Sequence, residues 1–240
     1  EKLGIIRNSD FILISKQKKE VKKFIKSKLS KKNNVFYYGN DFKIKILKRK
    51  KFQFNFCKDL KIVNQPKLNG LHQVENASVA LAFSEIMNKN QFKMNFKKTN
   101  IAIRETFWPG RLEILSYNNK RIILDGSHNI DGAKKLSQFL KTKKVKPVVI
   151  FGMLNNKKID IFLKTIKNDI SNILAIKIPN EKNAFLTNEI ANKCDLLSIK
   201  YMKIENIKQA VNYINKSEKK IFLVTGSLYL VGKIRNSFIN

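Results

Sequence analysis

RIILDGSHNIDGAKKLSQFL, residues 121–140, is the stretch on which the fold turns. Ile122–Leu124 is an apolar run, the next five residues are small or polar, and apolar residues then return at helical spacing. Strand, polar loop and amphipathic helix in direct succession make half of a β–α–β unit. The pattern recurs downstream. PVVIFG (147–152), NILAIKI (172–178) and KIFLVTG (220–226) read as strands. Helices are expected at about 131–142, 158–168, 187–193 and 206–215, with another starting near Ser227. Thr187, ahead of Asn188-Glu189-Ile190, is the expected N-cap of its helix. Strands that are apolar throughout are covered on both faces, so the reading is an α/β, Rossmann-like domain with a mostly parallel sheet.

Upstream the pattern differs. DFILIS (10–15) reads as a short strand, and residues 17–29 as a helix with Val21, Phe24, Ile25 and Leu29 on one face. VFYYG, FKIKIL and FQFNF, within 34–63, read as several short strands. LNGLHQVENASVALAFSEIM (68–87) is the best helix of this half. FWPGR (107–111) lies between the two patterns, and its Pro109-Gly110 turn signal marks a hinge. The expected division is therefore 1–107 and 108–240, which suits a chain of 240 residues.

Composition narrows the function classes. With 43% hydrophobic residues and 13 Gly plus Pro in total, the chain is neither disordered nor fibrous. No apolar run reaches the roughly 18–20 residues of a membrane helix, and no signal-like leader is read. Cys57 and Cys194 form no disulfide framework or zinc spacing, which points to a reducing cytoplasm. The net charge of +31 first suggests nucleic acid. Yet arginine, the residue suited to bidentate contacts, occurs only at 7, 49, 104, 111, 121 and 235, while lysine is spread through every segment. A compositional drift on exposed positions fits better than a specific nucleic-acid interface.

Ligands of open parallel sheets bind at the carboxyl ends of strands. Two strand ends carry polar clusters: Asp125-Gly126-Ser127-His128-Asn129 and Thr225-Gly226-Ser227, both at helix N-termini, where free N–H groups favour anions. The two histidines, His72 and His128, fall in the densest polar stretches, GLHQVEN and DGSHN. No G-x-S-x-G elbow, G-x-G-x-x-G turn or G-x-x-x-x-G-K-[ST] phosphate loop occurs. Turn and cap chemistry accounts equally well for either cluster taken alone.

Six segments in order carry a further signal: EKLGIIR (1–7), LNGLHQVENASVALA (68–82), WPGRLEIL (108–115), LDGSHNIDGA (124–133), FGML (151–154) and VTGSLYLVG (224–232). Together they resemble the folylpolyglutamate synthase/dihydrofolate synthase branch of the Mur ligase superfamily, over essentially the whole chain. The resemblance implies ATP-dependent amide ligation. A carboxylate of dihydropteroate or a folate is phosphorylated by ATP, and the amino group of L-glutamate then displaces phosphate from the acyl phosphate. ATP and Mg2+ are the implied cofactors; the implied partners are small molecules, with no membrane, no specific nucleic acid and a monomeric state. Residues 1–107 would be the last part of a P-loop ATPase domain and 108–240 the glutamate-binding C-terminal domain. The phosphate loop and most metal ligands would then lie before Glu1, and the chain would be truncated and inactive alone. Another Mur-type ligase, such as a cell-wall or cyanophycin-like enzyme, is the alternative in the same class; a basic nucleic-acid-binding domain is the alternative outside it.

Residue by residue, the resemblance makes Lys2 a carbamylated lysine that helps hold magnesium. Asn76, Arg111 and Asp125 become ATP contacts, at the nucleotide, the phosphates and the ribose respectively. His128 and Ser227 are placed beside the incoming glutamate at the reaction centre. Each has a plainer reading as well: surface lysine for Lys2, helix cap for Asn76, hinge salt bridge for Arg111, turn former for Asp125, N-cap for Ser227. One departure stands out: after FGML the family's acidic segment is replaced by Asn155-Asn156-Lys157-Lys158. A helix-capping role there can pass to Asn156, but a charge-dependent one cannot.

Overall fold

The computed structural model describes residues 2–6, 8–29, 34–90 and 92–239, without the side chains of Lys2 and Ile5. The chain divides into two compact units, one of Glu1–Lys67 with Leu71–Phe107, the other of Leu68–Gly70 with Trp108–Asn240.

In the first unit a short 3-10 turn, Lys2–Ile6, precedes strand β1 (Ile12–Ile14) and helix α1 (Lys19–Lys28). Strand β2 (Val35–Tyr37) pairs in parallel with β1. β3 (Phe42–Ile46), β4 (Lys51–Phe56) and β5 (Asp59–Asn64) form an antiparallel meander. β4 explains the packing: Phe52, Phe54 and Phe56 alternate inward, while Gln53 and Asn55 share the other face and bond to each other at 2.9 Å. Against the phenylalanines lies α2 (Leu71–Lys89), which buries Leu81 and whose buried residues Ala77, Ser78 and Ala82 are small enough for close approach. Lys61 on β5 reaches Glu85 on α2 at 2.5 Å beneath the Phe96 ring. Helix α3 (Phe96–Glu105), not legible in the sequence, is capped by Asn95, which accepts the Lys98 N–H, and buries Ile103. The apolar side of α1 is largely exposed, with Phe24 at 54%.

The second unit is an α/β layer structure. Its sheet has the order β10-β9-β8-β11-β7-β6. The central strands are β7 (Lys120–Leu124), β8 (Val148–Phe151), β9 (Asn172–Ala175) and β11 (Ile221–Thr225), all parallel. Two edge strands escaped the sequence reading. β6 (Glu113–Tyr117) runs antiparallel to β7, and β10 (Tyr201–Lys203) is three residues long. The sheet separates two cores. On one face α4 (Ile130–Lys143), α5 (Ile159–Ile166) and α6 (Thr187–Leu196) cover Ile123, Val149, Phe151, Ile173 and Leu223. On the other, α7 (Ile207–Lys216) and α8 (Leu228–Arg235) cover Ile122, Leu124, Ile150, Leu174 and Val224. Burial on both faces is why these strands read as continuous apolar runs.

Two expected caps are corrected. Leu186, not Thr187, is the N-cap of α6: the Glu189 carboxylate accepts the Leu186 N–H at 2.6 Å, while Thr187 Oγ1 accepts the Lys177 N–H at 3.2 Å. Helix α5 starts after Lys158 with no side-chain cap, so Asn156 has no capping role there.

Candidate functional site

In the second unit β11 sits between β7 and β8, yet the helix that follows it, α8, lies on the opposite face from α4 and α5. Such a change of side between consecutive connections, at the carboxyl edge of the sheet, is the usual ligand position in such folds. The two polar clusters of the sequence meet at this edge: the Gly226 N–H donates to the Ser127 carbonyl at 3.1 Å.

Asp125 is 5% exposed, and both its oxygens are engaged by backbone. Oδ1 accepts the Ser127 N–H and Oδ2 the Leu112 N–H, each at 3.1 Å. Burial pushes its carboxyl above the ordinary value, and the bonds from Ser127 and Leu112 and the charge of Arg111 pull back without cancelling that rise. Asp125 is therefore a turn former in fact, tying the loop after β7 to the segment that carries Arg111. His128, half-buried, places Nδ1 at 3.0 Å from the Gly126 carbonyl. A carbonyl only accepts, so the neutral imidazole carries its proton on Nδ1 and Nε2 is the acceptor. Asn129 caps α4 by accepting the Gly132 N–H at 2.8 Å. Ser227, 3% exposed, caps α8 by accepting the Tyr229 N–H at 3.1 Å. Its hydroxyl keeps a donor for another group.

The glycines here serve packing first. A Cβ on Gly126 would overlap the Leu228 side chain, and one on Gly226 (φ +100°) would lie 2.5 Å from the Gly152 carbonyl oxygen. Thr225, beside Gly226, is fully buried, and its Oγ1 has no hydrogen-bond partner.

Arg111 occupies a tightly built turn. Pro109 and Gly110 are the central residues of a β-turn closed by the Arg111 N–H on the Trp108 carbonyl at 3.3 Å, with Gly110 at φ +69° as a type II turn requires. Leu112 is also left-handed, at φ +48°, a conformation that costs about 1–3 kcal/mol at a leucine and persists only when its surroundings impose it. They do. Asp125 takes the Leu112 N–H, Asn69 donates to its carbonyl at 2.9 Å, and its side chain is buried in the core under α4. The Gly110 carbonyl accepts the Gly126 N–H at 2.8 Å, and its N–H donates to Glu113 at 2.9 Å. Glu113, buried at the start of β6, also takes a two-pronged bond from Arg235 on the last turn of α8, at 2.8–3.1 Å. Burial raises its carboxyl, but the Arg235 hydrogen bonds, the Gly110 N–H and the Arg235 charge outweigh it and leave Glu113 below the ordinary value. The sequence reading missed Asn69, Glu113 and Arg235: the last two lie 122 residues apart, and no local pattern marks such a pair.

The structure thus brings Arg111, Asp125, His128 and Ser227 onto one framework. Asn76 belongs to the first unit, exposed on α2, with Nδ2 donating to Gln73 at 3.0 Å; it is not the cap of that helix. The Lys2 side chain, the expected carbamylation site, lies outside the described residues. Among those residues no three His, Cys, Asp or Glu side chains cluster as a metal site, and no helix is long and apolar enough to cross a membrane. Burial, with Asp195 adding, pushes the Cys194 thiol up to about 11, which leaves it unreactive.

Residues 110–228 match the Mur ligase, glutamate ligase domain family. Dihydrofolate synthase/folylpolyglutamate synthase of Bacillus subtilis is 26% identical over 190 residues, an alignment covering 76% of this chain and 43% of that protein. The crystal structure of folylpolyglutamate synthase from Thermotoga maritima superposes with a TM-score of 0.77 at 26% identity, over 99% of this chain and 56% of that one. Folylpolyglutamate synthase of Mycobacterium tuberculosis, solved with ADP and AMPPCP, shares the fold with a TM-score of 0.77 at 18% identity, over 95% and 55%. The chain spans about half the length of these relatives. The domain match, the curated relative and the Thermotoga maritima structure agree in kind: the chain is similar to the folylpolyglutamate synthase/dihydrofolate synthases of the Mur ligase type.

Proposed function

We propose that this chain is part of an ATP-dependent ligase that joins L-glutamate to dihydropteroate, to reduced folates or to both. Residues 1–107 would be the closing portion of its ATPase domain and 108–240 its glutamate-binding domain. The observation that carries the reading is the framework at the sheet edge, where the Arg111 turn, the Asp125–His128 loop and the Ser227 cap are hydrogen-bonded to one another through Gly110, Gly126 and Gly226. The Mycobacterium tuberculosis relative that shares the fold was solved with ADP and AMPPCP, which supports a nucleotide as one substrate.

The residues divide the work by chemistry. Arg111 offers a permanent cation to the ATP phosphates and to the acyl phosphate. Asp125 would accept from a ribose hydroxyl beside its bonds to Ser127 and Leu112. His128, its Nδ1 fixed, presents Nε2 to take a proton from the glutamate ammonium, which must be lost before the amine attacks the acyl carbon. Ser227 and the first N–H groups of α8 face the glutamate carboxylates or the departing phosphate. In the reaction ATP gives its γ-phosphoryl group to the substrate carboxylate and leaves as ADP; the amine then forms the amide as inorganic phosphate departs. Magnesium accompanies ATP, but the described residues do not make a site that fits it, so its ligands are assigned beyond them. A cytoplasmic monomer suits the free thiols and the small-molecule substrates.

The test is steady-state kinetics of the complete ligase. Arg111→Ala should raise KM for ATP by about tenfold or more, the range for a lost charge-assisted phosphate contact. His128→Ala should act on glutamate use or turnover instead. Unchanged ATP and glutamate kinetics in both variants would overturn the reading.

A further inference from the structure

Glu113 and Arg235 are not among the groups given a chemical role above, yet four charge-assisted hydrogen bonds converge on the Glu113 carboxylate. Glu113 accepts both prongs of the Arg235 guanidinium and, through the same Oε2, the N–H of Gly110. Its side chain is 4% exposed and that of Arg235 25%. Burying an ion pair adds little stability over a well-packed apolar pair, whereas it imposes a definite geometry. Two leucines could fill this space, but neither could accept the Gly110 N–H.

That geometry is what Arg111 needs. Arg111 stands between two residues of left-handed backbone, and each flank is fixed by a different carboxylate: Gly110 by Glu113, Leu112 by Asp125. Glu113 also ties this turn to the end of α8, the helix whose other end is capped by Ser227. The helix is further keyed to the same two loops by shape, because Cβ atoms on Gly110 and Gly126 would meet Val231 and Leu228. Moving α8 without moving the Arg111 turn would break the fork.

We infer that Glu113 and Arg235 are positioning residues for Arg111, locking the Pro109-Gly110 turn onto α8 so that the Arg111 side chain is held at the sheet edge it shares with Ser227. The inference rests on the proposed ligase reading for what Arg111 binds, but not for how Arg111 is held.

Two measurements test it separately. In the 240-residue chain, amide hydrogen exchange is compared between wild type and Glu113→Gln. Exchange at Gly110 should accelerate by about tenfold or more, while Leu112, held by Asp125, changes little. In the complete ligase, KM for ATP is compared in Arg111→Ala, Glu113→Gln and the double variant. Glu113→Gln should raise KM by roughly tenfold with kcat altered less than about threefold. The double variant should be no worse than Arg111→Ala, because two residues acting through one contact are not additive. Effects that multiply in the double variant, or unaltered Gly110 exchange, overturn the positioning role. A silent Arg111→Ala overturns the phosphate-contact role of Arg111 instead, and Gly110 exchange then decides the inference alone. Should Glu113→Gln fail to fold, Arg235→Lys, which keeps the charge and loses the fork, replaces it in both measurements with the same expected and overturning results.

Discussion

At the scale of single residues, Thr225 has a chemistry that conflicts with its surroundings. The Thr225 hydroxyl is buried at the carboxyl end of β11 with no hydrogen-bond partner. An unsatisfied buried hydroxyl costs about 1–3 kcal/mol, and valine has nearly the same shape without that penalty. Thr225→Val should therefore raise unfolding stability by about 1 kcal/mol, read as a higher urea midpoint at unchanged slope. A lower midpoint would mean that the hydroxyl is satisfied. Glu113 gives a residue-scale prediction in pH. Its folded value lies below the ordinary 4.5, so the unfolded state takes up the proton first as pH falls. The stability it supplies is complete above pH 4.5 and fades as pH drops through its folded value. The stability difference between wild type and Glu113→Gln should accordingly be constant near neutrality and shrink in acid. Asp125, shifted upward, acts in the opposite direction in the same window, so only the difference between the two proteins isolates Glu113.

At the scale of elements, α8 is the part that most constrains its neighbours. Leu228, in its first turn, fills the space where a side chain on Gly126 would go. Gly126→Ala should cost roughly 1–3 kcal/mol by overpacking. Because the obstruction is mostly a side chain, Leu228→Ala in the same background should restore part of that loss, and a purely additive double variant would show that the clash is not the cause. The same element shows what sequence can reveal. β7, β8, β9 and β11 were legible because burial on both faces leaves an unbroken apolar run, and the loops after β7 and β11 because Asp, Ser, His and Gly crowd a strand end. β6 was missed: a five-residue edge strand, EILSY, mixes exposed and buried positions and begins with a charge. β10 was missed because it is three residues long and exposes Met202. The Glu113–Arg235 pair was out of reach for another reason, since only the completed sheet and α8 bring its ends together. Gly126, in the polar cluster after β7, leaves room for Leu228.

At the scale of the whole chain, the charge is the property that no pairing can offset: 49 basic residues face 18 acidic ones. Among the described residues, lysines are spread over several elements. Lys22 and Lys26 of α1 stand over the Tyr37 ring, while Lys134, Lys135, Lys141 and Lys143 lie along α4, whose buried side is apolar. A lysine is a strongly hydrated point charge that attracts phosphate without orienting it. Dispersed lysines should therefore concentrate polyanions without selecting among them, and counterion release makes such binding fall steeply with salt. The chain should bind duplex DNA of any sequence and heparin alike at about 50 mM salt, losing at least about a hundredfold in affinity by 200 mM. Both ligands should show similar salt slopes, since neither is read by shape or base edge. Fluorescence anisotropy across a salt series, with two unrelated duplexes, is the measurement. A complex with one duplex that persists at 200 mM while the other dissociates would restore the nucleic-acid reading, because persistence of that kind needs base contacts that dispersed lysine does not supply.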